Sequence, residues 1–146
     1  MRKYLLPLAA TAALLSASSA FAASQTSANF QAKITIQTSC VVTAGALDFG
    51  NVGVINGTES TTSTVAVNCS AGTPYTLSFN QTTGGVTSYN SAMTNSTNGQ
   101  HVSYSAALSG SGGTGPGSFT ITGTLPAQTT PSPAQYTDNK VVYLNY

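Results

Sequence analysis

The chain is expected to be all-β, a sandwich of Greek-key kind, and three features carry that expectation. Apolar residues recur with a period of two rather than 3.6. Gly, Pro and pairs such as Asn56-Gly57, Gly84-Gly85 and Asn98-Gly99 break the sequence at short intervals. No long helical pattern is visible. An up-and-down barrel is the alternative arrangement.

Residues 1–22 stand apart. Arg2 and Lys3 form a positive start, Tyr4 to Leu15 a short apolar stretch, and Ala20-Phe21-Ala22 a small-residue cleavage pattern, so they read as a removable signal peptide. Pro7 and Thr11 interrupt the apolar run, which is shorter than the ~20 residues of a membrane-spanning helix. No second apolar run follows, so stable membrane insertion is not expected and the remainder, from Ala23, is expected to be soluble and exported.

In the next segment Ala28, Phe30, Ala32, Ile34 and Ile36 alternate with Asn29, Gln31, Lys33, Thr35 and Gln37. This is the pattern of a half-buried strand. Such a terminal strand can close its own sheet or leave and complete the sheet of another copy. Cys40 and Cys69, the only cysteines, follow candidate strands, and in an exported protein a lone pair implies one disulfide. Closing a loop of about 30 residues, it contributes roughly 3.5 kcal/mol on the chain-entropy account. A redox role has no Cys-x-x-Cys spacing behind it.

Further strands are expected around Val65 and Val67; Tyr75, Leu77 and Phe79; Val102, Tyr104 and Ala106; Phe119, Ile121 and Gly123; and Val141 or Val142 with Leu144. The tract from Gly110 to Gly117 lacks the Lys-Ser or Lys-Thr of a phosphate loop and reads as a flexible hairpin loop.

Charge narrows the function. The whole chain carries a formal +1, but without Arg2 and Lys3 only Lys33 and Lys140 oppose Asp48, Glu59 and Asp138, which leaves −1. Nucleic-acid binding needs many cations against phosphate, so it is excluded as a reading. The surface must be built from Ser, Thr, Asn, Gln and Gly, and low charge weakens the usual protection of sheet edges. Neither an enzyme nor a cofactor site is expected. His101, the only histidine, has no nucleophile motif to serve and reads as a surface residue, and the three scattered carboxylates form no pair or metal set.

The order of motifs resembles one family. The alternating segment is followed by Thr38-Ser39-Cys40-Val41-Val42-Thr43-Ala44-Gly45, Leu47-Asp48-Phe49-Gly50 and Val65-Ala66-Val67-Asn68-Cys69. Then come Val102-Ser103-Tyr104, Gly123-Thr124-Leu125-Pro126, and Tyr136-Thr137-Asp138 before a closing strand over residues 141–146. Together these are similar to the spore coat U domain shared by pilins of the archaic chaperone-usher pathway. Phe49, Gly50, Tyr104, Gly123, Pro126, Tyr136 and Asp138 carry the resemblance. Two departures are Gln135, where the family often has Gly, and the richness in glycine of the tract from Gly110 to Gly117.

The resemblance implies an immunoglobulin-like sandwich that lacks its last strand and is completed by a donated one. A periplasmic chaperone lends that strand until an outer-membrane usher exchanges it for the N-terminal segment of a neighbouring pilin subunit; donor-strand complementation among pilins is a known case of β-augmentation. On this expectation residues 23–36 hold the donor strand, with Ala28, Phe30, Ala32, Ile34 and Ile36 as its inserted face, and residues 37–146 form the pilin domain. The product is a cell-surface or secreted fibre supporting adhesion and biofilm formation. A single domain argues for a shaft or minor subunit rather than a two-domain tip adhesin. The competing expectation is a secreted monomeric coat protein or carbohydrate-binding module that uses Tyr75, Tyr89 or Tyr104.

Overall fold

The computed structural model describes residues 24–81 and 85–146; the signal peptide expected over residues 1–22 lies outside them. The chain divides into two units, Met1–Ile34 and Thr35–Tyr146. In the first, residues 24–34 belong to no strand. The second contains eight strands and, among the described residues, no helix: β1 (Cys40–Ala44), β2 (Glu59–Cys69), β3 (Pro74–Ser78), β4 (Ser88–Thr94), β5 (His101–Leu108), β6 (Gly112–Thr114), β7 (Gly117–Leu125) and β8 (Tyr143–Asn145).

The strands form two antiparallel sheets. One has the order β1-β2-β7-β5-β4, the other β6-β3-β8. Sequential strands repeatedly change sheet, as in a Greek key and unlike an up-and-down barrel. Alternation within each strand builds the interior: Val65 and Val67 of β2, Val102, Tyr104 and Ala106 of β5, and Ile121 and Leu125 of β7 meet Tyr75 and Leu77 of β3 in one buried cluster. Edge-to-face ring contacts, Tyr75 to Phe119 and Phe79 to Tyr89, tie the sheets together. This is an incomplete immunoglobulin-like sandwich.

Several local expectations need correction. The alternating residues 28–36 form no ladder here: residues 24–39 carry no strand, because a strand exists only against a partner and none of the eight pairs with them. Cys40 and Cys69 do not follow strands; Cys40 opens β1 and Cys69 closes β2, directly opposite each other, and a disulfide joins them. The glycine-rich tract is not simply a loop. Gly112–Thr114 pairs with β3 as β6, and a Cβ on Gly112 would run into the Tyr75 carbonyl oxygen and one on Gly117 into the Tyr75 hydroxyl. Glycine there lets the edge strand lie against Tyr75. β4 carries an inward row, Tyr89, Ser91 and Met93, whose polar member hid the strand from a reading of apolar alternation. Phe79 falls just beyond β3, and Val141 and Val142 precede β8.

Candidate assembly site

Two sheet edges lie open side by side. Among the described residues β1 is paired only with β2 and β8 only with β3, yet β1 and β8 touch each other. The residues that line these edges are incompletely covered: Val42 on β1, Leu144 on β8 and Val142 before it pack against the core while remaining only partly buried. The side-chain nitrogen Nδ2 of Asn145, on β8, is buried and has no hydrogen-bond partner among the described residues. A buried amide without an acceptor is costly and therefore informative.

One end of the sandwich is hollow. A cavity of about 850 Å³ is lined by Leu47 and Phe49, which follow β1, by Tyr136, which precedes β8, and by Met93, Val102 and Leu125 of the large sheet. Both of its flanking segments are held by the family-like motifs. Asp48 accepts the Gly50 N–H at 2.8 Å, closing a tight turn with Gly50 at φ +69°, a conformation that suits glycine. That turn lays Leu47 and Phe49 over Gly123, where an added Cβ would come within 2.7 Å of Leu47 and 2.9 Å of Phe49. Phe49 also meets Tyr104 edge to face at 6.1 Å.

The second flank is fixed by Tyr-x-Asp. Tyr136 donates to the Ser132 carbonyl at 2.8 Å, and Thr137 bridges to Thr94 of β4. Asp138 Oδ2 accepts from Ser91 at 2.6 Å and from Tyr104 at 3.0 Å, and pairs with Lys140 Nζ at 3.1 Å. Burial by itself raises the Asp138 pKa, but the hydrogen bonds from Ser91, Lys140 and Tyr104 and the lysine charge outweigh it and hold the carboxyl below its ordinary value. Burial chiefly, then the contacts with Tyr89 and Asp138, pushes the Tyr104 phenol well up, so it stays neutral and donates. Tyr89 Oη lies 3.2 Å from Tyr104 Oη. Because Tyr104 commits its proton to Asp138, Tyr89 must be the donor there.

Pro126 stops β7, having no N–H to extend the ladder. Two residues on, the Gln128 side chain takes over as a substitute strand: Oε1 accepts the Ser103 N–H at 2.9 Å and Nε2 donates to the Ser103 carbonyl at 2.8 Å. Sequence reasoning missed Gln128, Ser91, Tyr89 and Lys140 as partners of the motif residues. Only the closeness of Gln128 to Pro126 and of Lys140 to Asp138 was visible along the chain.

The other candidates separate. Phe30, Ile34 and Ile36 are 92%, 84% and 80% exposed, an unusual state for three large apolar side chains within seven residues. His101 Nδ1 lies 3.1 Å from Thr94 Oγ1 on the surface. Tyr75 and Tyr104 are buried, which removes them as residues that could stack on a sugar.

A family model described as the Spore Coat Protein U domain matches residues 26–106, more than half of the chain. The chain belongs to the spore coat U domain family. No curated protein and no solved structure matches it. Spore coat U domains are associated with pilus and fimbrial subunits of chaperone-usher systems, a structural role. In this spore coat U domain protein the matched span takes in the exposed segment, the disulfide, the Phe49-Gly50 turn and Tyr104. Gly123, Pro126, Tyr136 and Asp138 lie beyond that span, and the contacts just described join Gly123 to Phe49 and Asp138 to Tyr104. Among the described residues no helix is long and apolar enough to cross a membrane.

Proposed function

We propose that this protein is a structural subunit of a cell-surface pilus or fimbria, polymerised by donor-strand exchange through a periplasmic chaperone and an outer-membrane usher. The observation that carries the reading is the pair of open, touching edges β1 and β8 with half-covered apolar residues, in a chain whose own alternating segment is unpaired and exposed. Residues 23–36 are the donor strand and residues 37–146 the acceptor domain. Ala28, Phe30, Ala32, Ile34 and Ile36 of one subunit fill the gap of the next, their backbone continues the ladder, and the added carbonyls offer acceptors near Asn145. The signal peptide, residues 1–22, is removed on export. The fibre serves adhesion and biofilm formation.

Burying Phe30, Ile34 and Ile36 at ~1.5 to 3 kcal/mol each supplies the driving force, and the ladder fixes register, since a slip of one residue would turn the apolar face outward. The test is Phe30→Asp or Ile34→Asp. A carboxylate in the apolar gap is poorly solvated, so each variant is expected to bind its chaperone normally and to stop polymerising. Normal fibres from both would overturn the reading.

A further inference from the structure

Residues 37–39 connect the alternating segment to β1, and they are not a free tether. Ser70, one residue past the end of β2, meets them with its side chain. Its hydroxyl accepts the Ser39 N–H at 3.1 Å and donates to the Gln37 carbonyl at 3.1 Å, with the Ser39 carbonyl at 3.3 Å as a second acceptor. The Ser70 N–H donates to the Ser39 carbonyl at 2.9 Å as well. The next residues along both strands, Cys40 and Cys69, are register partners and covalently joined. The β1–β2 ladder is therefore prolonged past its disulfide by one backbone bond and by the Ser70 hydroxyl, which alone reaches the Ser39 N–H and the Gln37 carbonyl.

We propose that Ser70 is the positioning residue of the subunit junction: it clamps residues 37–39 so that the donor strand leaves each subunit from a fixed point, with Ile36 as the first unclamped residue. This rests on the donor-strand reading above and adds what determines the stiffness of the resulting fibre. Three unpinned polar residues would reach about 10 Å and turn about some six soft dihedrals, which is a flexible joint. The Ser70 bonds hold the carbonyl of Gln37 and both backbone polar groups of Ser39, so most of that freedom is gone. Thr38 alone remains without a backbone bond to Ser70. The clamp contains no titratable group.

Fibres of the wild-type chain, Ser70→Ala and Ser70→Thr test this, with the angle between successive subunits measured by electron cryomicroscopy. Ser70→Ala is expected to broaden the angular distribution severalfold and shorten the persistence length. Ser70→Thr, which keeps the hydroxyl, should restore both, and a structural role confined to the subunit would leave the angles unchanged. Equal distributions in all three overturn the clamp and leave donor-strand exchange standing. Failure of the wild-type chain to polymerise overturns that reading, and the clamp with it. Amide exchange on the wild-type protein decides the matter even if Ser70→Ala does not assemble: the Ser39 amide should be protected like those of β1, and exchange at the rate of an open chain overturns the proposal.

Discussion

Asp138 gathers Ser91, Tyr104 and Lys140 around one carboxylate oxygen, and through them ties the segment leading to β8 onto β4 and β5. Its depressed pKa makes this a pH-dependent contribution with a definite sign. A carboxyl whose folded pKa lies below its unfolded value of about 3.9 stabilises the fold above that pH, and the contribution drains away as pH falls through the lower folded value. Asp138→Asn should therefore melt below the wild type at neutral pH and lose less of its melting temperature between about pH 5 and pH 2. Parallel curves for the two proteins would show that the carboxylate contributes nothing beyond its shape. Asp138 and Tyr104 could each be picked from sequence as motif residues. Their joining could not, because 34 positions separate them and only the packing of β5 against the returning chain brings them together.

Of the two edge strands of the larger sheet, β1 is the more exposed to loss. It is five residues long, and three of its five residues are exposed. Its bond to β2 is reinforced at the first register pair by Cys40–Cys69. Removing both sulfurs with Cys40→Ser and Cys69→Ser is expected to cost roughly 3.5 kcal/mol and to release β1 before the rest of its sheet, since local opening begins where few buried contacts hold an element. Amide exchange should report it: protection lost across β1 while β5 and β7 keep theirs. Uniform loss over all strands would mean that β1 opens only with the whole domain. The disulfide itself was legible from two cysteines and the expectation of export. The strand positions around it were not, because alternation marks faces and says little about where a ladder ends.

For the whole molecule, the proposed assembly makes the open edges and the exposed segment the two halves of one contact between subunits. Deleting Ser24 to Ala32 removes most of the proposed donor while leaving every strand intact. The truncated subunit is expected to accept a donor and to supply none, so it should cap fibres of the full chain and shorten them as its share of the mixture rises. Fibres formed by the truncated chain alone would place the donor elsewhere. The scarcity of charge belongs to this scale too. A chain with so few ionic groups cannot guard its edges by repulsion, and pairing with a neighbouring subunit would protect them instead.

Periodicity, turn residues and the single cysteine pair were enough to determine an all-β domain, most of its core positions and its disulfide, because a half-buried strand writes its inward face into the sequence at every second residue. What tertiary structure alone decided was pairing. It showed that, among the described residues, residues 28–36, which alternate as cleanly as any strand in the chain, have no ladder; that glycines 112 and 113 do; and that β1 and β8 end side by side with their outer edges free. The reason is physical. An apolar face is a local property of a segment, whereas a strand is a set of hydrogen bonds to another segment, and a sequence names the first without naming the partner.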